Sequence, residues 1–230
     1  MTPNNNTLKN ELSQLTLDIY RTNFVGAIEK IENFYQKYKA RDKKGWLKRE
    51  CNRLLAEALE DQQAFDQALA INLEILAEMP TNEGAYGTLV HRTASLFNQL
   101  ERRKEANALI EEFLNQKQDH FSETLYLMAL YVQNYGEYEK LPSTFPPLFQ
   151  WIVENLQIEV ADTNLQTAIV QVANESREAG RSLTRLLATC NQLPEEEEID
   201  LVKQYIATVK IGFYRKHANS YLQSILKYPR

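Results

Sequence analysis

Glycine is scarce here: 7 residues in 230, under half its usual share of roughly 7%. That argues against turn-dense all-β folds and against Gly-rich phosphate loops. Cysteine is scarcer still. Cys51 and Cys190 lie far apart without Cys neighbours, so neither a disulfide framework nor a clustered zinc site is expected. Two reduced, packed thiols in a cytoplasmic protein are the expectation. No apolar run nears the roughly 20 residues a membrane span requires, and the longest uncharged apolar stretch, 141–153, holds Pro142, Pro146 and Pro147. Met1-Thr2-Pro3-Asn4-Asn5-Asn6 has no basic or apolar region, so no signal peptide is expected.

Catalytic patterns are missing as well. The three histidines, His91, His120 and His217, are scattered. H-E-x-x-H, G-x-S-x-G and P-loop patterns are absent. Gly84-Ala85-Tyr86-Gly87 reads as a loop rather than a nucleotide cradle, and Asp119-His120 as a polar helix boundary. The reading is therefore a protein that is not an enzyme, with no catalytic residue, no metal ligand and no cofactor. The net charge of −5 disfavours a nucleic-acid footprint over the whole surface.

What is present is helical periodicity. Leu8, Leu12, Leu15 and Ile19 step by four, three and four. Phe24, Ala27, Ile28, Ile31, Phe34 and Tyr35 continue the pattern after a break at Thr22-Asn23. Further apolar stripes run through 54–59 and 65–76. Pro146 or Pro147 suits the first turn of a helix that reaches Leu156. A single face from about Asp162 to Cys190 follows, which Gly180 interrupts in one reading. Leu193-Pro194-Glu195-Glu196-Glu197-Glu198 reads as a solvated helix start, the acids facing the positive end of the dipole; a divalent-cation site is the alternative. The last helix carries Ile199 to Phe213, with continuation to Leu222 and Ile225 as one option. The fold class read from this is all-α, with helix pairs joined by short polar turns.

An internal repeat is superimposed on the helices. A bulky residue and, three positions on, a small or apolar one follow a polar turn at Phe24/Ala27, Phe65/Ala68, Arg103/Ala106 and Tyr138/Leu141. The second positions are spaced by 41, 38 and 35 residues. Small residues recur at Ala56, Ala94 and Ala129, with Leu59, Phe97 and Val132 three later. Close approach of two helices requires a small side chain opposite a larger one, and a hairpin that cannot bury its apolar face alone stacks on the next.

On these residues the chain resembles the tetratricopeptide-like helical repeats over residues 8–141. Residues 49–82 match best, through Leu55, Ala56, Leu59, Phe65, Ala68 and Pro80. Residues 87–120 match with Ala94, Phe97, Ala106 and Phe113, but carry Arg103 for the aromatic and Gln118 for the proline. The resemblance implies a right-handed antiparallel helix-pair solenoid over 8–141, with 142–230 as a helical C-terminal extension that packs on or caps it. It also implies a partner-binding concave face, drawn from the first helix of each pair. From the first matched pair come Arg53, Glu57 and Glu60; from the next His91, Ser95 and Asn98; from the last Tyr126 and Gln133. Glu50 and Glu57 beside Arg53 argue against a carboxylate clamp there.

A second surface is the basic stretch 37–53. Lys39, Arg41, Lys43, Lys44, Lys48 and Arg49 are interleaved with Tyr35, Tyr38 and Trp46. Cations with aromatics suit phosphate contact and base stacking; a solvated helix end and inter-repeat turn is the plainer reading. The expected function is binding of a protein or peptide, as an adaptor of bacterial type or an immunity-type inhibitor. The acidic balance suits a basic partner. Nucleic-acid binding through 37–53 and an enzyme with an unrecognised helical site are the alternatives. No membrane partner is expected, and pairing of two copies through the last helix stays open.

Overall fold

The computed structural model describes residues 5–116, 120–135, 141–190 and 193–227. Gln118, Asp119 and the turn around Tyr138 lie outside them. The described residues form eleven α-helices and no strand. They are α1 (Asn5–Arg21), α2 (Ala27–Tyr38), α3 (Trp46–Asp61), α4 (Phe65–Glu78), α5 (Tyr86–Gln99) and α6 (Arg103–Leu114), with a 3-10 turn (Lys39–Arg41) after α2. Then come α7 (Phe121–Tyr135), α8 (Phe145–Leu156), α9 (Leu165–Cys190), α10 (Glu195–Thr208) and α11 (Gly212–Lys227). No described helix is long and apolar enough to cross a membrane.

The chain divides after Leu109 into two compact units. In the first, each helix from α1 to α4 packs on the next. Leu8, Leu12, Ile19, Ile31, Leu47 and Leu54 form one core there. The small residues expected at close approaches, Ala27, Ala56, Ala68, Ala94 and Ala106, are all fully buried.

The same turn recurs in three hairpins. At the end of α1, Asn23 adopts φ 45° and the Phe24 amide donates to the Ile19 carbonyl five residues back at 3.0 Å. After α3, Gln63 has φ 60° and the Ala64 amide reaches Leu59 at 2.8 Å. After α5, Glu101 has φ 58° and Arg102 reaches Phe97 at 2.8 Å. Each is a left-handed cap closed by a backbone bond reaching five residues back, which satisfies a carbonyl the helix leaves open. The first turn differs in one respect from the periodic pattern: Phe24, placed by periodicity in the second helix, sits in the turn at φ 60° and α2 begins at Ala27.

In the second unit α7 packs on α8 and α9, α10 packs on α9 and α11, and α11 also meets α8 and α9. Pro146 and Pro147 occupy the first turn of α8, where their missing N–H groups cost nothing. Gly180 does not interrupt α9, which runs unbroken for 26 residues. It is small because a Cβ there would lie 3.1 Å from the Tyr214 hydroxyl. The final helix does not run on: it breaks at Val209-Lys210-Ile211. Gly212 restarts it against α8, its amide donating to the Gln157 carbonyl at 3.2 Å. A Cβ on Gly212 would lie 2.6 Å from that of Gln157. Two further expectations need correction. Gly87 belongs to the first turn of α5, and Glu198 is not solvated but fully buried, its carboxylate accepting from the Tyr221 hydroxyl at 2.6 Å. Cys51 and Cys190 are both buried and form no disulfide.

Candidate functional site

A charged recess of the first unit lies among α3, α4 and α5. Its volume is about 340 Å³. Ile75, Met79 and Leu89 provide apolar surface; Arg49, Glu50, Arg53 and Glu83 rim it. Helical spacing explains how one helix contributes so much: Arg49, Glu50, Arg53 and Glu57 fall at three- and four-residue steps on one side of α3.

Glu57 is the hub. It is 8% exposed, so its carboxylate must be compensated. Arg53 donates to it from the same helix at 2.8 Å. Arg92 donates from α5, and the Tyr20 hydroxyl donates from α1. Arg92 also reaches Glu60 at 2.9 Å, and Arg53 reaches Glu50 at 3.3 Å. Burial alone would lower the pKa of Arg92, but Glu57 and Glu60 outweigh it and hold the guanidinium above its ordinary value. Arg53 behaves the same way beside Glu57 and Glu50. Burial first, and then the Glu57 carboxylate, push the Tyr20 phenol up. Three helices separated in sequence, α1, α3 and α5, thus meet on one carboxylate.

Of the residues expected on the concave face, Arg53 and Glu57 line this recess and Glu60 joins the cluster beside it. His91, Ser95 and Asn98 lie on α5 but do not line it. All three are half-buried; the Ser95 hydroxyl donates to the His91 carbonyl at 2.9 Å. Tyr126 and Gln133 belong to the second unit, on α7. Arg92 and Tyr20 were not among the expected site residues. Their role depends on which helices become neighbours, and periodicity within one helix carries no signal of that.

The basic stretch divides in two. Lys48 pairs with Glu74 at 2.9 Å and Arg49 with Glu83 at 3.6 Å. Lys39, Arg41, Lys43 and Lys44 are exposed on the 3-10 turn and the loop after it. Asp42 sits among them because its carboxylate caps α3, accepting from the amides of Leu47 at 3.1 Å and Lys48 at 2.8 Å. The interleaved aromatics turn inward. Tyr38 is 5% exposed and donates to Glu11, while Lys37 and Arg41 sit 4.8 and 5.3 Å from its ring. Tyr35 and Trp46 pack against the same core.

Among the described residues no group of three or more His, Cys, Asp or Glu side chains is placed to hold a metal ion. Comparison of the chain with protein-family models, with curated proteins and with solved structures finds no match in any of the three.

Proposed function

We propose that this chain is a non-catalytic protein-binding module. In this reading its first unit is a right-handed stack of tetratricopeptide-like helix pairs, and the face shared by α3 and α5 receives the partner. The observation that carries it is the recess beside Glu57: apolar residues and a charged rim, the anatomy of a pocket that takes one anchoring side chain from a protein. Two further features support the stacked arrangement. The same left-handed hairpin turn recurs after α1, α3 and α5. The first helices of successive pairs are joined through Tyr20, Glu57 and Arg92, as neighbouring units of a stack must be. The ionisable groups here compensate one another, whereas a catalytic site presents a nucleophile beside an unengaged base. An adaptor and an immunity-type inhibitor both fit this surface.

The test is capture from lysate with the tagged full chain, with nuclease treatment and at two salt concentrations, wild type against Thr88→Trp. Thr88 is exposed on the wall of the recess, so the indole fills the space without disturbing the core. One stoichiometric protein that survives high salt and is lost with Thr88→Trp supports the reading. No captured protein, or capture indifferent to Thr88→Trp, contradicts it. Capture that disappears with nuclease moves the function to the basic turn at Lys43 and Lys44.

A further inference from the structure

The second unit holds a groove of about 640 Å³ among α7, α9 and α11. Arg177, Arg181 and Arg185 line it from α9. At four-residue intervals and 1.5 Å rise, their backbones stand about 6 Å apart along one side of the helix. All three are exposed. Among the described residues, no acidic side chain lines the groove and none of the three arginines forms an ion pair. The contrast with the first unit is sharp: Arg49, Arg53 and Arg92 in its recess are each paired with a carboxylate. In a chain of net charge −5, three unpaired guanidinium groups in one groove are a concentrated positive field. The acids nearest in sequence, Glu175 and Glu178, line a different cavity with Tyr205 and Lys210.

We infer that this groove binds an acidic peptide segment of a partner protein, laid along α9 in extended form. Alternate side chains of an extended strand lie about 6.6 Å apart, close to the arginine spacing, so successive acidic side chains on one face of the strand meet successive guanidinium groups. A single-stranded nucleic acid has comparable charge spacing but needs open aromatic faces for its bases, and the rings here are engaged. Arg177 covers Tyr126 at 5.0 Å. Phe213 has Phe121, Tyr214 and His217 against it at 4.9, 5.2 and 4.4 Å. The inference rests on the protein-binding reading only in taking the ligand from a protein; its residues are separate from the α3–α5 face.

The probe is fluorescein-labelled hexaglutamate, titrated with the full chain at low salt and followed by fluorescence polarisation. Labelled hexaglutamine and a hexathymidylate oligonucleotide are run beside it. Hexaglutamate binds, hexaglutamine does not, and affinity falls as salt is raised. Arg181→Glu with Arg185→Glu weakens binding by about tenfold or more, since two rim pairs are lost and two repulsive carboxylates replace them. The milder Arg181→Gln with Arg185→Gln weakens it less; both side chains are exposed. Lys43→Glu with Lys44→Glu leaves it unchanged. No hexaglutamate binding at low salt, or binding indifferent to the α9 substitutions, overturns the inference. Tighter binding of hexathymidylate through the same arginines also overturns it and makes the groove a nucleic-acid site. Because Thr88→Trp plays no part here, failure of this test and failure of the capture test are separately readable.

Discussion

Arg92 on α5 donates to both Glu57 and Glu60 on α3, and so ties two helices between which all of α4 intervenes in the chain. Arg92 is 26% exposed at its side chain and Glu57 8%, so the pair is screened less than a surface bridge. Arg92→Ala leaves a buried carboxylate with Arg53 and Tyr20 alone. The expected cost is about 1–3 kcal/mol, read as a shift in the urea midpoint at unchanged slope. Replacing both partners, Arg92→Met with Glu57→Gln, recovers most of that loss. If the double variant is no better than Arg92→Ala, the cluster is not the tie described.

The hairpin turns make a prediction with the opposite sign. Gln63 and Glu101 hold left-handed backbone at φ 60° and 58°, and both side chains are exposed. That conformation costs a residue with a Cβ about 1–2 kcal/mol, part of which glycine returns as unfolded-state entropy. Gln63→Gly and Glu101→Gly should each stabilise the protein by about 0.5–1 kcal/mol, raising Tm by a few degrees. Destabilisation at both would show that these turns are not the caps described.

The helix positions were largely legible from residue pattern because they depend on neighbours within one helix. The paired prolines at the head of α8, the run of acids opening α10 and the apolar stripe of α9 are all local signals. The break before Gly212 was not legible. Val209 and Phe213 continue the apolar periodicity, and the break coincides with a tertiary contact, the Gly212 amide donating to the carbonyl of Gln157 just past α8. Glu198 misled for a similar reason: an acid in a first turn suits the dipole, and only packing brings the Tyr221 hydroxyl to it. At the candidate site, Arg53, Glu57 and Glu60 followed from repeat register. Arg92 and Tyr20 did not, because partner choice across helices is tertiary.

The two structural glycines of the second unit should respond differently to alanine. Gly212→Ala places a Cβ 2.6 Å from the Gln157 Cβ and 3.1 Å from its carbonyl oxygen, and should cost about 1–3 kcal/mol. Gly180→Ala meets only the Tyr214 side chain, most tightly its hydroxyl at 3.1 Å, which lies 3.2 Å from the Ser176 hydroxyl. Alone it should forfeit the usual gain of about 1 kcal/mol for alanine in a helix; with Tyr214→Phe the gain should return. Thermal melts of the three variants decide this.

Burial pushes the Cys51 thiol up to about 12, with Asp42 and Glu50 adding to it. Burial likewise takes Tyr205 to about 12, helped by Tyr214. In both, the folded state holds the proton more tightly than the unfolded chain. Their contribution is intact below the unfolded pKa and is lost as pH rises through the folded one, so stability should fall from about pH 9 for the thiol and pH 10 for the phenol toward 12. Cys51→Ala should shallow that fall. Cys51 should resist iodoacetamide at pH 8 until the protein is unfolded; rapid alkylation of the native protein would contradict its burial.

Hydrogen–deuterium exchange on the captured complex, compared with the free chain, tests the binding face most directly. Slowed exchange over the first half of α3, the end of α4 and the start of α5 is the expected result, since these segments surround the recess beside Glu57. Protection confined to the basic turn at 39–44, or no change along α3 to α5, would contradict the central claim.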